Sequence, residues 1–201
     1  MRVAQIGLLV CLLFGSVAYS APITYFAVLS GAGEVPPTPS LGTGFGTVTV
    51  DVAAQTLLVQ LSFSGLLSPT TASHIHCCTT VPFAGIAGVA TTTPTFPGFP
   101  LGVTSGTYTN LFSLTDPGTY NPSFVTAEGG LANAETALVN GLATGQTYLN
   151  IHTNQFPGGE ISGFLEAAVP EPSTVFLAGA ALASLTLLRR RRTYLTAKRR
   201  T

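Results

Sequence analysis

Residues 73–78 read Ser-His-Ile-His-Cys-Cys and gather two of the chain's three histidines and two of its three cysteines into one short stretch. In an extended chain, side chains two apart share a face, so His74 and His76 point one way and Ile75 the other. Two imidazoles on one face can serve a single copper or zinc ion, and a thiolate from Cys77 or Cys78 would tilt the choice towards zinc or Cu(I). The third histidine lies in Tyr-Leu-Asn-Ile-His-Thr, residues 148–153. There the same alternation sets Tyr148, Asn150 and His152 on one face and turns Leu149 and Ile151 towards a core.

Another strand follows after Asn-Gln-Phe-Pro-Gly-Gly, so a hairpin is expected, and matching apolar faces pairs Ile151 with Ile161. That register places His152 opposite Glu160 and Asn150 opposite Ser162. A carboxylate beside His152 would orient the imidazole or complete a ligand set. The candidate constellation is therefore His74, His76 and His152 as metal ligands, supported by Glu160, Cys77 and Cys78. The competing expectation is three solvent-facing strand histidines, because sequence spacing alone does not carry His152 to the other pair.

The cysteines leave several fates open. Cys11 belongs to an N-terminal segment read as removed on export, so an exported domain retains the adjacent pair Cys77 and Cys78. They can form a vicinal disulfide, stay as thiols with one buried, ligate a metal, or bridge to another molecule. Glu34, in Gly-Ala-Gly-Glu-Val-Pro-Pro, reads as a structural turn residue, and Asp116, in Thr-Asp-Pro-Gly, as a turn whose side chain bonds the local backbone. The sequence contains no Gly-x-Ser-x-Gly elbow and no phosphate-binding loop with a lysine.

The elements that would position these groups are mostly strands. Alternating β-rich runs recur at ITYFAVL, FGTVTVDV, TLLVQLSFSG, SHIHC, SGTYTNLFSL, TYLNIHT and EISGFLEA, separated by Gly, Pro, Ser and Thr. Many short strands with such punctuation predict an all-β antiparallel, Greek-key-like sandwich or barrel. One short helix is expected in LANAETALVNGL, where Leu131, Ala134, Leu138 and Leu142 fall on one stripe and Gly141 stands near its end. It is expected to cross one end of the sandwich. The run from Thr79 to Val103 reads as a long Pro/Gly/Thr loop.

Both ends of the 201-residue chain look like export signals. Arg2, an apolar run and the small-residue site Ala-Tyr-Ser make residues 1–20 a secretory signal peptide. Residues 169–192 carry Val169, Pro170, Glu171 and Pro172, an apolar stretch from Thr174 to Leu188, and Arg189, Arg190, Arg191 and Arg192. The stretch is short against the roughly 20 residues of a full span, and the arginines would hold its end in the cytoplasm. A basic tail, residues 193–201, follows. Between the ends, residues 21–168 form one domain with seven acidic residues and no Lys or Arg, a formal net charge of −7. Such a domain has no cationic patch for phosphate, which excludes nucleic-acid binding and disfavours nucleotide chemistry.

Two resemblances rest on these residues. The C-terminal arrangement resembles the PEP-CTERM sorting signal of Gram-negative bacteria. That implies transient insertion in the inner membrane, recognition and cleavage by an exosortase, and release to the cell surface or extracellular matrix. The stretches FAVLSGAGEVPP, SHIH and YLNIHT…FPGGEISGFL, spanning Thr24 to Leu165, resemble the CHRD module. The commoner pattern has a His-Ile-His-Gly-Pro-like turn where this chain has His-Ile-His-Cys-Cys, and an arginine where it has Ser162, which removes an expected partner for Glu160. The CHRD resemblance implies an extracellular all-β module that binds or immobilises at surfaces without being an enzyme, with exopolysaccharide or cell-surface components as partners. The His-x-His strand with a distant histidine is also similar to copper-zinc superoxide dismutase, which implies the alternative of a copper-dependent redox enzyme. An inert structural matrix protein is the third reading.

Overall fold

The computed structural model describes residues 21–168, so the expected signal peptide, sorting helix and basic tail lie outside the described residues. Each predicted β-rich run is a strand: β1 (Ile23–Ser30), β2 (Thr43–Asp51), β3 (Thr56–Ser64), β4 (Thr70–His76), β5 (Gly106–Ser113) and β6 (Tyr148–Thr153). The last run divides into β7 (Ile161–Phe164) and β8 (Glu166–Ala167), interrupted at the fully buried Leu165. Two helices precede β6: α1 (Pro122–Ala127), short and unanticipated, and α2 (Leu131–Ala143), which buries Ala134, Leu138 and Leu142 as its stripe requires. Asp116 caps a 3₁₀ turn by accepting the Gly118 N–H at 2.8 Å. Among the described residues no helix is long and apolar enough to cross a membrane.

All the strands join one antiparallel sheet in the order β4-β6-β7-β1-β2-β3-β5, with β8 also pairing β1. The order forces the sheet to curl. From β3 to β4 is five strand spacings, about 24 Å if flat, yet the link is only residues 65–69, which reach about 21 Å when fully extended. The sheet rolls into a half-barrel so that these strands approach. Its inner face carries Tyr25, Leu29, Val48, Val59, Leu61, Ile75, Leu149, Ile151 and Ile161, all buried. Gly46 belongs to this inner face: a Cβ there would strike the Leu149 side chain of β6, so β2 and β6 face each other across the interior at a distance only glycine allows.

Strand β4 ends the sheet on one side, and its free edge is covered by the long loop. Gly102 N–H donates to the Thr70 carbonyl at 2.9 Å, Phe96 N–H to the Ser73 carbonyl at 3.3 Å, and Ala90 N–H to the Ile75 carbonyl at 3.0 Å. Ser73 N–H and Ile75 N–H each donate to a threonine hydroxyl, of Thr95 and Thr91, at 3.0 Å. Backbone polar groups buried at an edge must be paired. The threonines that made this stretch look like mere loop are the side chains that pair them.

Glu160, just before β7, is fully buried. Its carboxylate accepts from the Ser40 hydroxyl at 2.7 Å, the Leu67 N–H at 2.6 Å and the Thr153 hydroxyl at 2.7 Å. One carboxylate thus joins the β1–β2 connection, the β3–β4 link and the β6–β7 hairpin. Glu160→Ala would orphan three donors, and the expected loss is about 3 kcal/mol in urea unfolding followed by circular dichroism. A loss below about 1 kcal/mol would show that the three segments hold without it.

Candidate metal centre

The hairpin has the register matched from its apolar faces: Ile151 pairs Ile161 and Asn150 pairs Ser162. On the other side of β6, β4 pairs so that His74 is opposite Asn150, His76 opposite Tyr148 and Ala72 opposite His152. Residues opposite one another in a ladder share a face, so all three histidines project on the side away from Ile75, Leu149 and Ile151. One ring nitrogen from each of the three comes within 4.8 Å of the others, and among the described residues no other group of three metal-ligating side chains converges in this way.

That face is not open to solvent, because the loop over β4 folds across it: His74 is 5 % exposed and His76 is 8 % exposed, while His152 is half-buried. Each imidazole is anchored by a main-chain carbonyl. His74 Nε2 bonds the Pro94 carbonyl at 2.8 Å, His76 Nδ1 the Ala87 carbonyl at 2.9 Å, and His152 Nδ1 the Pro157 carbonyl at 2.8 Å. A carbonyl only accepts, so these nitrogens carry the protons and the opposite nitrogens of the neutral rings carry lone pairs. The lone-pair atoms His74 Nδ1 and His152 Nε2 stand 3.2 Å apart with no proton assigned to the gap. His76 Nε2 is buried with no hydrogen-bond partner. The His76 ring stacks on Tyr148 at 4.6 Å between centroids, and the Tyr148 hydroxyl donates to the same Ala87 carbonyl at 3.1 Å.

Burial is the main cause that keeps these rings neutral. It pushes the pKa of His74 down to about 4 against the pull of the Pro94 carbonyl, with the other two histidines adding to the fall, and lowers those of His76 and His152. Neutral imidazoles held by backbone carbonyls form a donor set suited to zinc or copper. An orphaned buried nitrogen and two lone pairs face to face are the features a cation would resolve.

The expected supporting groups are placed otherwise. Glu160 is not beside His152: the β6–β7 ladder begins only at Ile161, and the carboxylate just before it turns to the side of Thr153, bonding Ser40, Leu67 and Thr153. Cys77 and Cys78 form a vicinal disulfide and lie over α2, with Sγ atoms 3.7 Å and 3.4 Å from the Ala137 carbonyl, where they supply no ligand. A Cβ at Gly141 would come within 2.6 Å of Cys77 Sγ, so the glycine near the end of α2 makes room for the disulfide. Ser162 lies beside Glu34 rather than Glu160.

Sequence reasoning passed over two contributors. The anchoring carbonyls of Pro94, Ala87 and Pro157 carry no signal in residue type. Asn150 was read only as sharing a face with His152; it is 1 % exposed, its Nδ2 donates to His152 Nε2 at 2.9 Å, and its Oδ1 is buried without a partner. Glu34 also lies deeper than a turn residue should. Its carboxyl fills the space over Gly159, where a Cβ would come within 2.5 Å, and its Oε1 has no hydrogen-bond partner.

Burial pushes the Glu34 pKa up to about 7, partly offset by the Ser162 hydroxyl. A carboxyl with a raised folded-state pKa contributes stability that is full below its unfolded value and is lost as pH rises through the folded value. Between pH 5 and pH 8 the wild-type chain should therefore lose stability relative to Glu34→Gln, with the ratio of their folding constants shifting by more than about tenfold. Parallel urea midpoints for the two chains across that range would refute this.

No curated protein and no solved structure matches the chain. The family model for the PEP-CTERM protein-sorting motif matches residues 168–192, which implies export, processing by an exosortase and sorting towards the cell envelope or surface. The model for the CHRD domain matches residues 25–165, from the first buried tyrosine of β1 to the buried leucine that interrupts the last strand run. A match over that much of the chain, on a curled antiparallel sheet with its histidines gathered on one face, makes this protein a member of the CHRD domain family.

Proposed function

We propose that this chain is an exported CHRD module that holds one transition-metal ion, copper or zinc, on His74, His76 and His152, and acts as a non-enzymatic binding component at the cell surface or in the extracellular matrix. The observation that carries the reading is the convergence of three imidazoles within 4.8 Å, each with its far nitrogen fixed by a carbonyl and one with its near nitrogen orphaned. Divalent copper binds nitrogen donors more tightly than zinc, so availability in the compartment decides which ion is held.

The matrix side of the reading has its own support. The outer face of β1, β2, β3 and β5 presents Thr47, Ser62, Thr107 and Thr109 together with the exposed Val28, Phe45 and Leu111, and the charges beside them are Asp51 at one end and Glu166 of β8 opposite Phe26. In a domain of formal charge −7 this sparsely charged surface of hydroxyls and exposed apolar side chains suits a neutral polysaccharide. The exosortase would remove the tail after sorting and leave the domain free of the membrane.

Metal content and calorimetric titration of the exported chain test the metal. One equivalent of copper or zinc is expected, with affinity falling by more than about a hundredfold in His76→Ala. His76→Phe keeps the stack on Tyr148 while removing the ligand, and should lose the metal with little loss of fold. Sub-stoichiometric metal in the wild type would end this reading.

A further inference from the structure

We propose that the metal held by the three histidines keeps a fourth position open to a small anion from solvent, and that Asn150 is the hydrogen-bond donor that positions this anion. The inference rests on the metal reading above and specifies what that site takes.

The first part of the argument is charge. Three neutral imidazoles leave a divalent ion's charge uncompensated, and a buried charge needs a counter-charge. Tetrahedral zinc sites with three protein ligands take water or substrate as the fourth. Among the described residues no carboxylate or thiolate joins the three ring nitrogens: Glu34, whose carboxyl lies beside Ser162 and acts on Tyr148, stands outside the cluster. Glu160 is saturated by Ser40, Leu67 and Thr153, and the cysteines are bonded to each other over α2. No protein carboxylate fills the fourth position, so the fourth ligand comes from solvent, on the side of the half-buried His152.

The second part is geometry. Asn150 Nδ2 lies 2.9 Å from His152 Nε2 and donates to the lone pair that a metal would take. Metal binding therefore displaces this hydrogen bond and leaves an N–H donor at the edge of the coordination sphere. Asn150 Oδ1 makes no well-formed hydrogen bond, its side chain lying against His76, so the amide can turn without losing one. Because Asn150 is 1 % exposed, bulk water does not compete for that donor. Phe96 and Tyr148 pack against His74 and His76, so the ligand is a compact monodentate anion such as hydroxide or azide rather than an extended carboxylate.

Cobalt(II)-loaded full-length protein titrated with azide, followed by the visible spectrum, tests this separately from metal binding. The wild type should form a one-to-one azide adduct. Asn150→Ala should weaken azide by about tenfold, the loss of one charge-assisted hydrogen bond, while cobalt affinity should not fall, because the bond removed competes with the metal for His152 Nε2. Asn150→Asp, nearly isosteric, should place its own carboxylate in the open position, change the cobalt spectrum and abolish the azide response. Cobalt binding with no azide response in the wild type overturns the open position and leaves the metal reading standing. Equal azide affinity in wild type and Asn150→Ala overturns the role of Asn150. Failure to bind cobalt or any other divalent metal overturns both readings together.

Discussion

The pairing of strand β4 is the constraint from which the rest follows. On one side it is fixed by β6 in a register that lays His74 beside Asn150 and His76 beside Tyr148. On the other side it is sealed by the Pro/Gly/Thr loop, which supplies carbonyls, amides and two threonine hydroxyls to an edge that would otherwise be bare. The same loop turns over the sheet, buries the histidine face and brings the Pro94 and Ala87 carbonyls to the imidazoles. Sheet closure and the making of the site are therefore one event. A one-residue slip of β4 against β6 would turn the histidines into the apolar interior and Ile75 out of it.

The absence of lysine and arginine shapes everything polar inside the domain. Where other proteins pair a buried carboxylate with a cation, this one surrounds Glu160 with hydroxyls and a backbone N–H drawn from three segments. Charge-assisted hydrogen bonds of this kind are stronger than neutral ones and fix geometry closely. Glu34 has no comparable set of donors, and its raised pKa is the result. A metal ion on the histidines would be the first strong positive charge in the domain.

The histidine cluster is built on paired strands and backed by main-chain carbonyls. Its rings are oriented by bonds that need no side chain from elsewhere, and the Tyr148 stack restrains His76 further. Such preorganisation favours selective binding.

Much of this was written in local pattern. Period-two alternation located every strand, the Leu/Ala stripe located α2, and the apolar faces of Ile151 and Ile161 gave the hairpin register, because strand and helix periodicities are properties of a few consecutive residues. The same alternation put His74 and His76 on one face. The helix α1 escaped because its six residues are too few to show a period. Tertiary structure alone decided that β4 lies against β6, and so that His152 reaches His74. It also decided that Glu160 turns away to Ser40, Leu67 and Thr153, that the adjacent cysteines bond each other over α2, and that carbonyls from a distant loop orient the rings. Pairing between strands remote in sequence, and hydrogen bonds to main-chain atoms that every residue possesses, leave no mark in residue type. The sequence by itself determined which side chains were available to a metal, and only the pairing of β4 with β6 decided which of them meet.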